Sequence, residues 1–290
     1  MPKLFLRSFL ILFFLPFALC FSEEIKTKPS VLVSVAPHKF FLEKIAGETV
    51  DVLLMVPPGA SSHSYEPSPR QMMQASKGQI WFLIGEPFET KAIKAIKSYN
   101  PGLELVDMRQ GLNLITDQCG HCHHHHQCMD PHIWLSPRLA KIQAQTIATA
   151  LAKRYPDYEE LYLKKLESFI TELDQLDRSI AKILEPLQNR VIMVSHPAYA
   201  YFCRDYNLEQ LSIEFEGKDP TPKQLNNILR VAKANNIQRI FIQKQYSNKA
   251  AYLVANEIHA TVVNLDPYSE NYIESLLNIA ENFAKSDSKP

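Results

Sequence analysis

The chain has 290 residues, 46% hydrophobic and 21% charged, and its 31 basic side chains balance 31 acidic ones. That length accommodates two domains of roughly 100–150 residues each, with the apolar and charged fractions of an ordinary globular protein. The charge balance excludes the basic footprint of a nucleic-acid binder, and eight Gly against nineteen Pro argue against glycine-rich phosphate loops and for many fixed turns.

Lys3 and Arg7 precede an almost wholly apolar run from Phe9 to Phe21. That is the length of a signal-peptide core and is shorter than the ~20 residues of a spanning helix. Residues 1–22 are therefore expected to be a signal peptide cleaved before Glu23, which makes the mature protein periplasmic. Lipid anchoring at Cys20 is the second reading, disfavoured because Leu19 stands where a lipoprotein site wants a small residue.

From Ser30 the chain alternates strand and helix. VLVSVA is a β-branched strand, and HKFFLEKIAG is a helix closed by Gly47. Strands follow at 50–57, 79–85 and 103–108, separated by a Pro/Ser-rich loop at 57–69 and by helices at 70–78 and 87–99. Such alternation predicts a parallel α/β lobe, over 23–155. Pro137 to Tyr155 is helical. Tyr158 to Leu187 then shows one long amphipathic stripe, including Leu161, Leu166, Phe169, Leu173, Leu176 and Ile180. At about 1.5 Å per residue it would span roughly 40 Å, so 156–187 is read as a rigid connecting helix. Residues 188–290 repeat the alternation, with strands at 190–196, 209–215, 239–243 and 261–267 and a terminal helix from Tyr268 to Phe283. The fold class is α/β, with two Rossmann-like lobes joined by one long rigid helix.

Between the fourth strand and the Pro137 helix lies CGHCHHHHQC, five imidazoles and three thiols in ten residues. Such a run builds no core. Cys119, His121, Cys122, His123, His124, His125, His126 and Cys128 are ligands suited to zinc and its neighbours rather than to calcium or magnesium. They are read as an auxiliary metal-collecting loop. Export also permits a disulfide among these cysteines, and thiolate ligation and disulfide stand as alternatives.

In open α/β sheets, ligands bind beyond the carboxyl ends of the strands. Four metal-competent residues fall there: His63 after the second strand, His132 after the insertion, and His196 and Asp266 at strand ends in the second half. Three imidazoles and a carboxylate make a closed four-coordinate shell of the kind zinc accepts, here in a cleft between the lobes. Glu66 and Ser136 are candidate partners that orient the imidazoles. His38 is read as a surface residue, His259 as structural, and Trp81 and Trp134 as packing residues. Glu214 and Glu216 follow a strand and receive no role.

The strings HSYEPSPRQM, DPHIWLSPRLA, SHPAYAYFCRDYNL and VVNLDPYSENYIE resemble, in that order, the metal-binding solute-binding proteins of bacterial ABC importers for zinc and manganese. The resemblance covers nearly the whole mature chain, including the His-rich insertion. It implies two lobes on one rigid helix, metal at their interface, and one ligand from each string: His63, His132, His196 and Asp266. Manganese members tend to carry Glu at the third position, whereas here it is His196, and imidazole favours zinc. The implied cargo is Zn(II), with Mn(II) or Fe(II) as the alternative. The implied partners are a membrane permease with its cytoplasmic ATPase, and the protein is expected to be monomeric. A metal-binding surface adhesin is a second reading. A secreted zinc hydrolase is disfavoured, because catalysis needs an open ligand position and a nearby base and no HExxH occurs. Ligands must shed their protons, so affinity is expected to fall as pH drops through the free-imidazole range near ~6.5.

Overall fold

The structure is a computed structural model describing residues 28–116, 129–214 and 218–286. The signal peptide, Cys20, the 119–128 loop and Glu216 lie outside the described residues. Two four-stranded, all-parallel sheets form the scaffold. The first holds β1 (Ser30–Val33), β2 (Asp51–Leu54), β3 (Ile80–Leu83) and β4 (Glu104–Asp107) in the order β2-β1-β3-β4. The second holds β5 (Val191–Val194), β6 (Glu209–Ser212), β7 (Arg239–Ile242) and β8 (Thr261–Asn264) in the order β6-β5-β7-β8. Each order reverses direction once, between β1 and β3 and between β5 and β7, and such switch points open a crevice beyond the strands' carboxyl ends.

The helices show why the chain is proline-rich. Pro69, Pro87, Pro137 and Pro222 each open a helix: α2 (Pro69–Ala75), α3 (Pro87–Tyr99), α4 (Pro137–Arg154) and α7 (Pro222–Ala234). At the first helical position the missing N–H costs nothing and the fixed φ is already helical. The side chains of Ser68, Ser136 and Thr221 cap three of these helices by accepting from Gln71, Leu139 and Gln224 backbone N–H groups. Helix α1 (Ala36–Ala46) stops at Gly47, where φ is +59°, a conformation that glycine adopts without steric cost.

The connecting helix is α5 (Glu159–Leu184), about 39 Å long at 1.5 Å per residue. It buries Tyr162, Leu166, Phe169, Leu173, Leu176, Ile180 and Leu184, a spacing of three and four residues that keeps one stripe inward. Leu161, expected on that stripe, is exposed, and Tyr162 takes the buried place, with its hydroxyl 2.9 Å from Thr49 Oγ1. The stripe packs on α1 and α4 from one lobe and on α9 (Tyr272–Ala284) from the other. A single apolar core runs through all four helices. Among the described residues no helix is long and apolar enough to cross a membrane.

One boundary moves with consequence. The terminal helix starts at Tyr272, not at Tyr268. Asp266 Oδ1 accepts from the Tyr268 backbone N–H at 3.2 Å, a side-chain turn that competes with helix. It holds Tyr268 in a loop facing the crevice.

Candidate metal site

All the residues of the candidate site follow strand ends or the reentry of the insertion at Met129, which pairs with Thr116 in an isolated antiparallel bridge. His63 lies after β2, His196 just beyond β5, and His132 opens the 3-10 turn Ile133–Leu135 that leads into α4. The structure brings these three together: one ligand atom from each lies within 4.8 Å of the others. His63 Nε2 and His196 Nε2 are 3.2 Å apart. Zinc–nitrogen bonds of 2.0–2.1 Å in tetrahedral array place their nitrogens roughly 3.3–3.4 Å apart, so this pair is already spaced for a shared cation. The side chains are 6%, 1% and 0% exposed for His63, His132 and His196.

Each imidazole is fixed from behind by a carboxylate. His63 Nδ1 lies 2.9 Å from Glu86, His132 Nδ1 2.7 Å from Asp130, and His196 Nδ1 2.8 Å from Glu214. A carboxylate accepts, so Nδ1 carries the proton and the Nε2 lone pair is directed into the cluster. Three anions around the imidazoles also compensate a divalent charge. Glu86 is wholly buried. Burial alone pushes its carboxyl up, but attraction to His63 and hydrogen bonds from His63 and Ser62 outweigh this and hold it below the usual range. It reaches this place through Gly85, whose φ of +90° turns the chain out of β3. Tyr246 stacks on His196, with ring centroids 3.9 Å apart. Tyr268 Oη lies 3.0 Å from His132 Nε2 and 3.1 Å from Tyr246 Oη. A cavity of about 360 Å³, bordered by His63, Tyr65, Glu66, Met72, Phe88 and Lys91, adjoins the cluster.

Asp266 is not brought into this group. Its carboxylate binds Lys244 Nζ at 2.8 Å and Gln245 Nε2 at 2.9 Å, both from the loop after β7. The two orienting partners expected from the sequence have other contacts in this structure. Glu66 is 84% exposed and faces Lys91 at 3.8 Å. Ser136 caps α4 and donates to Asp205. His38 is buried rather than superficial, its Nε2 2.6 Å from Gln143 Oε1. Burial lowers its pKa to about 4 against the raising effect of that hydrogen bond. Trp81 and Trp134 are fully buried, as packing residues should be. Sequence reasoning missed Glu86, Asp130, Tyr246 and Tyr268, and left Glu214 without a role. The available signal was position: Glu86 and Glu214 follow strand ends, and Asp130 stands two residues before His132.

Replacing Glu86 with Gln keeps its shape and removes its charge. Zinc affinity is expected to fall by roughly 10–100-fold, the usual cost of losing a partner behind a metal-binding imidazole. Competition with a chromophoric chelator measures it, and unchanged affinity would show that Glu86 does not orient His63.

The family model described as zinc-uptake complex component A, periplasmic, matches residues 31–286 of this chain. A putative metal-binding protein of Chlamydia trachomatis is 34% identical over 277 residues, covering 95% of this chain and 98% of its own. The high-affinity zinc uptake system protein ZnuA of Bacillus subtilis is 27% identical over 246 residues, covering 80% and 76%. Among solved structures, a zinc-bound ZnuA deletion mutant superposes with a TM-score of 0.83 at 38% identity, covering 91% of this chain and 99% of that one.

Proposed function

Since the chain belongs to the family of the periplasmic zinc-uptake complex component A, we propose that it captures Zn(II) between its lobes and delivers it to an ABC importer. In this reading it is the periplasmic solute-binding protein, exported by its N-terminal segment, and it docks on a permease driven by a cytoplasmic ATPase. The metal is cargo and is held by His63, His132 and His196. One observation carries the reading: three Nε2 atoms converge while every Nδ1 is occupied by a carboxylate. That arrangement presets neutral, metal-ready imidazoles, and an all-nitrogen set of three favours zinc over manganese. The site is read as a carrier's, with the three imidazole side chains almost wholly buried between the lobes. The 119–128 run supplies additional soft ligands that gather metal. Residues 23–155 and 188–290 serve as the two lobes and 156–187 as their connector.

Cells lacking the protein should accumulate less zinc from zinc-poor medium. The native chain should restore uptake, and a chain with both His132→Ala and His196→Ala should not. Equal uptake with and without the protein would overturn the transport role.

A further inference from the structure

We infer that Tyr201 is a positioning residue of the metal site: from the second lobe its hydroxyl locks together the two chain segments that flank residues 117–128, and through Asp130 it fixes His132. This rests on the three-histidine reading above. Tyr201 lies on α6 (Ala200–Asp205), the helix that follows β5 and His196. Its side chain is fully buried. Its Oη accepts from the Ile115 backbone N–H at 3.1 Å and donates to the Asp130 carbonyl at 2.9 Å. The two segments also pair directly, the Asp130 N–H donating to the Ile115 carbonyl at 2.8 Å.

The hydrogen-bond directions make the arrangement work. A phenol has one hydrogen to give and lone pairs to receive, so a single hydroxyl serves both segments. Burial pushes the Tyr201 hydroxyl up to about 12, which keeps its hydrogen in place at any working pH. Asp130 is then held on three sides. Its N–H binds Ile115, its carbonyl binds Tyr201, and its Oδ1 accepts from the His132 backbone N–H at 2.8 Å and from His132 Nδ1 at 2.7 Å. Arg204 adds a second tie from α6: its Nη1 donates to the Asn113 carbonyl at 3.3 Å, and its guanidinium lies 5.3 Å from the centre of the Tyr201 ring. Loss of the Tyr201 hydroxyl leaves the carbonyl of the buried Asp130 unpaired, an arrangement that costs more than the net value of the bond itself. The segment gains reason to turn toward water, and the carboxylate that aims His132 turns with it. His132 belongs to the first lobe, yet its aim is set by a residue of the second. Contact between the lobes therefore governs two of the three imidazoles, His196 directly and His132 through Tyr201.

The test compares zinc affinity and the visible spectrum of the cobalt-loaded form for the full mature chain and for Tyr201→Phe, Asp130→Asn and the double variant. Tyr162→Phe serves as the control, since it removes another buried ring's hydroxyl, one that binds Thr49 instead. Tyr201→Phe is expected to weaken zinc by about 3–10-fold and to shift the cobalt bands, whereas Tyr162→Phe should change neither readout. Asp130→Asn should cost roughly 10–100-fold. The double variant should bind about as tightly as Asp130→Asn alone, because Tyr201 acts through Asp130. Native affinity and an unshifted spectrum in Tyr201→Phe would overturn the inference while leaving the three-histidine site standing. So would losses that simply multiply in the double variant, or an equal loss in Tyr162→Phe. If the native chain itself fails to bind zinc tightly, the three-histidine reading falls and the inference falls with it.

Discussion

Zinc binding is expected to weaken by roughly 100- to 1,000-fold when His196 is replaced by Ala. Structural zinc sites bind with about 10–16 kcal/mol in total, and an even division over three or four ligands assigns roughly 2.5–5 kcal/mol to each. His196 is well placed to show the full loss. Its side chain is buried, Tyr246 stacks on one face, and Glu214 holds Nδ1. It is also the histidine contributed by the second lobe, beyond β5, whereas His63 and His132 belong to the first. Its removal leaves an incomplete pair on one side of the cleft. Competition titration reads the loss directly. A change of only a few-fold would mean that metal binds elsewhere. His196→Glu keeps a donor but replaces nitrogen with a harder oxygen, so it should move preference toward manganese.

The second large effect falls on stability. Trp134→Ala is expected to cost about 3–5 kcal/mol, the range for truncating a large buried aromatic. Trp134 is fully buried, and its Nε1 donates to the carbonyl of Pro267 at 2.8 Å. Tyr272 Oη donates back to the Trp134 carbonyl at 2.7 Å. Its ring lies 5.3 Å from both His132 and Tyr268. The residue thus ties the turn before α4 in the first lobe to the turn before α9 in the second, directly beneath the site. Urea unfolding measures the loss, and zinc affinity should fall with it because His132 loses the surface it rests on. A loss under about 1 kcal/mol would show that the site relaxes around the missing ring, contrary to the close packing of native cores.

The strand–helix alternation was legible because β-branched runs and proline-headed helices mark their own limits. Val31–Val33, Ile80–Phe82 and Ile240–Ile242 are continuous apolar strands buried on both faces, and Pro87, Pro137 and Pro222 mark helix starts. His63 and His196 were picked out by their positions after strands and His132 by its place after the insertion, and the structure brings the three together. Their carboxylate partners were not picked out, because Glu86 and Glu214 become partners only when the crevice folds around them, and sequence proximity pointed instead to Glu66 and Ser136. Asp266 illustrates the same limit. Its place after β8 was read correctly, yet Lys244 and Gln245 compete for its oxygens, and nothing in a linear string shows that competition. Tyr268 was read as the first residue of the terminal helix. The side-chain turn at Asp266 delays that helix to Tyr272 and leaves the Tyr268 hydroxyl 3.0 Å from His132 Nε2.

The placement of the site follows from the two sheets. Each reverses its strand order next to its first strand, and the two crevices face one another across a core shared through α5. His63 and its partner Glu86 come from the first crevice, and His196 and Glu214 from the second. Metal affinity is therefore a property of both lobes held together, which is why a packing residue such as Trp134 bears on it.

The most direct test is a competitive titration of the mature chain against zinc, manganese and ferrous iron, repeated with His196→Ala. The account predicts one tight site that prefers zinc and that disappears in the variant, leaving only weak sites. A tight site that survives the loss of His196, or a native preference for manganese, would contradict it.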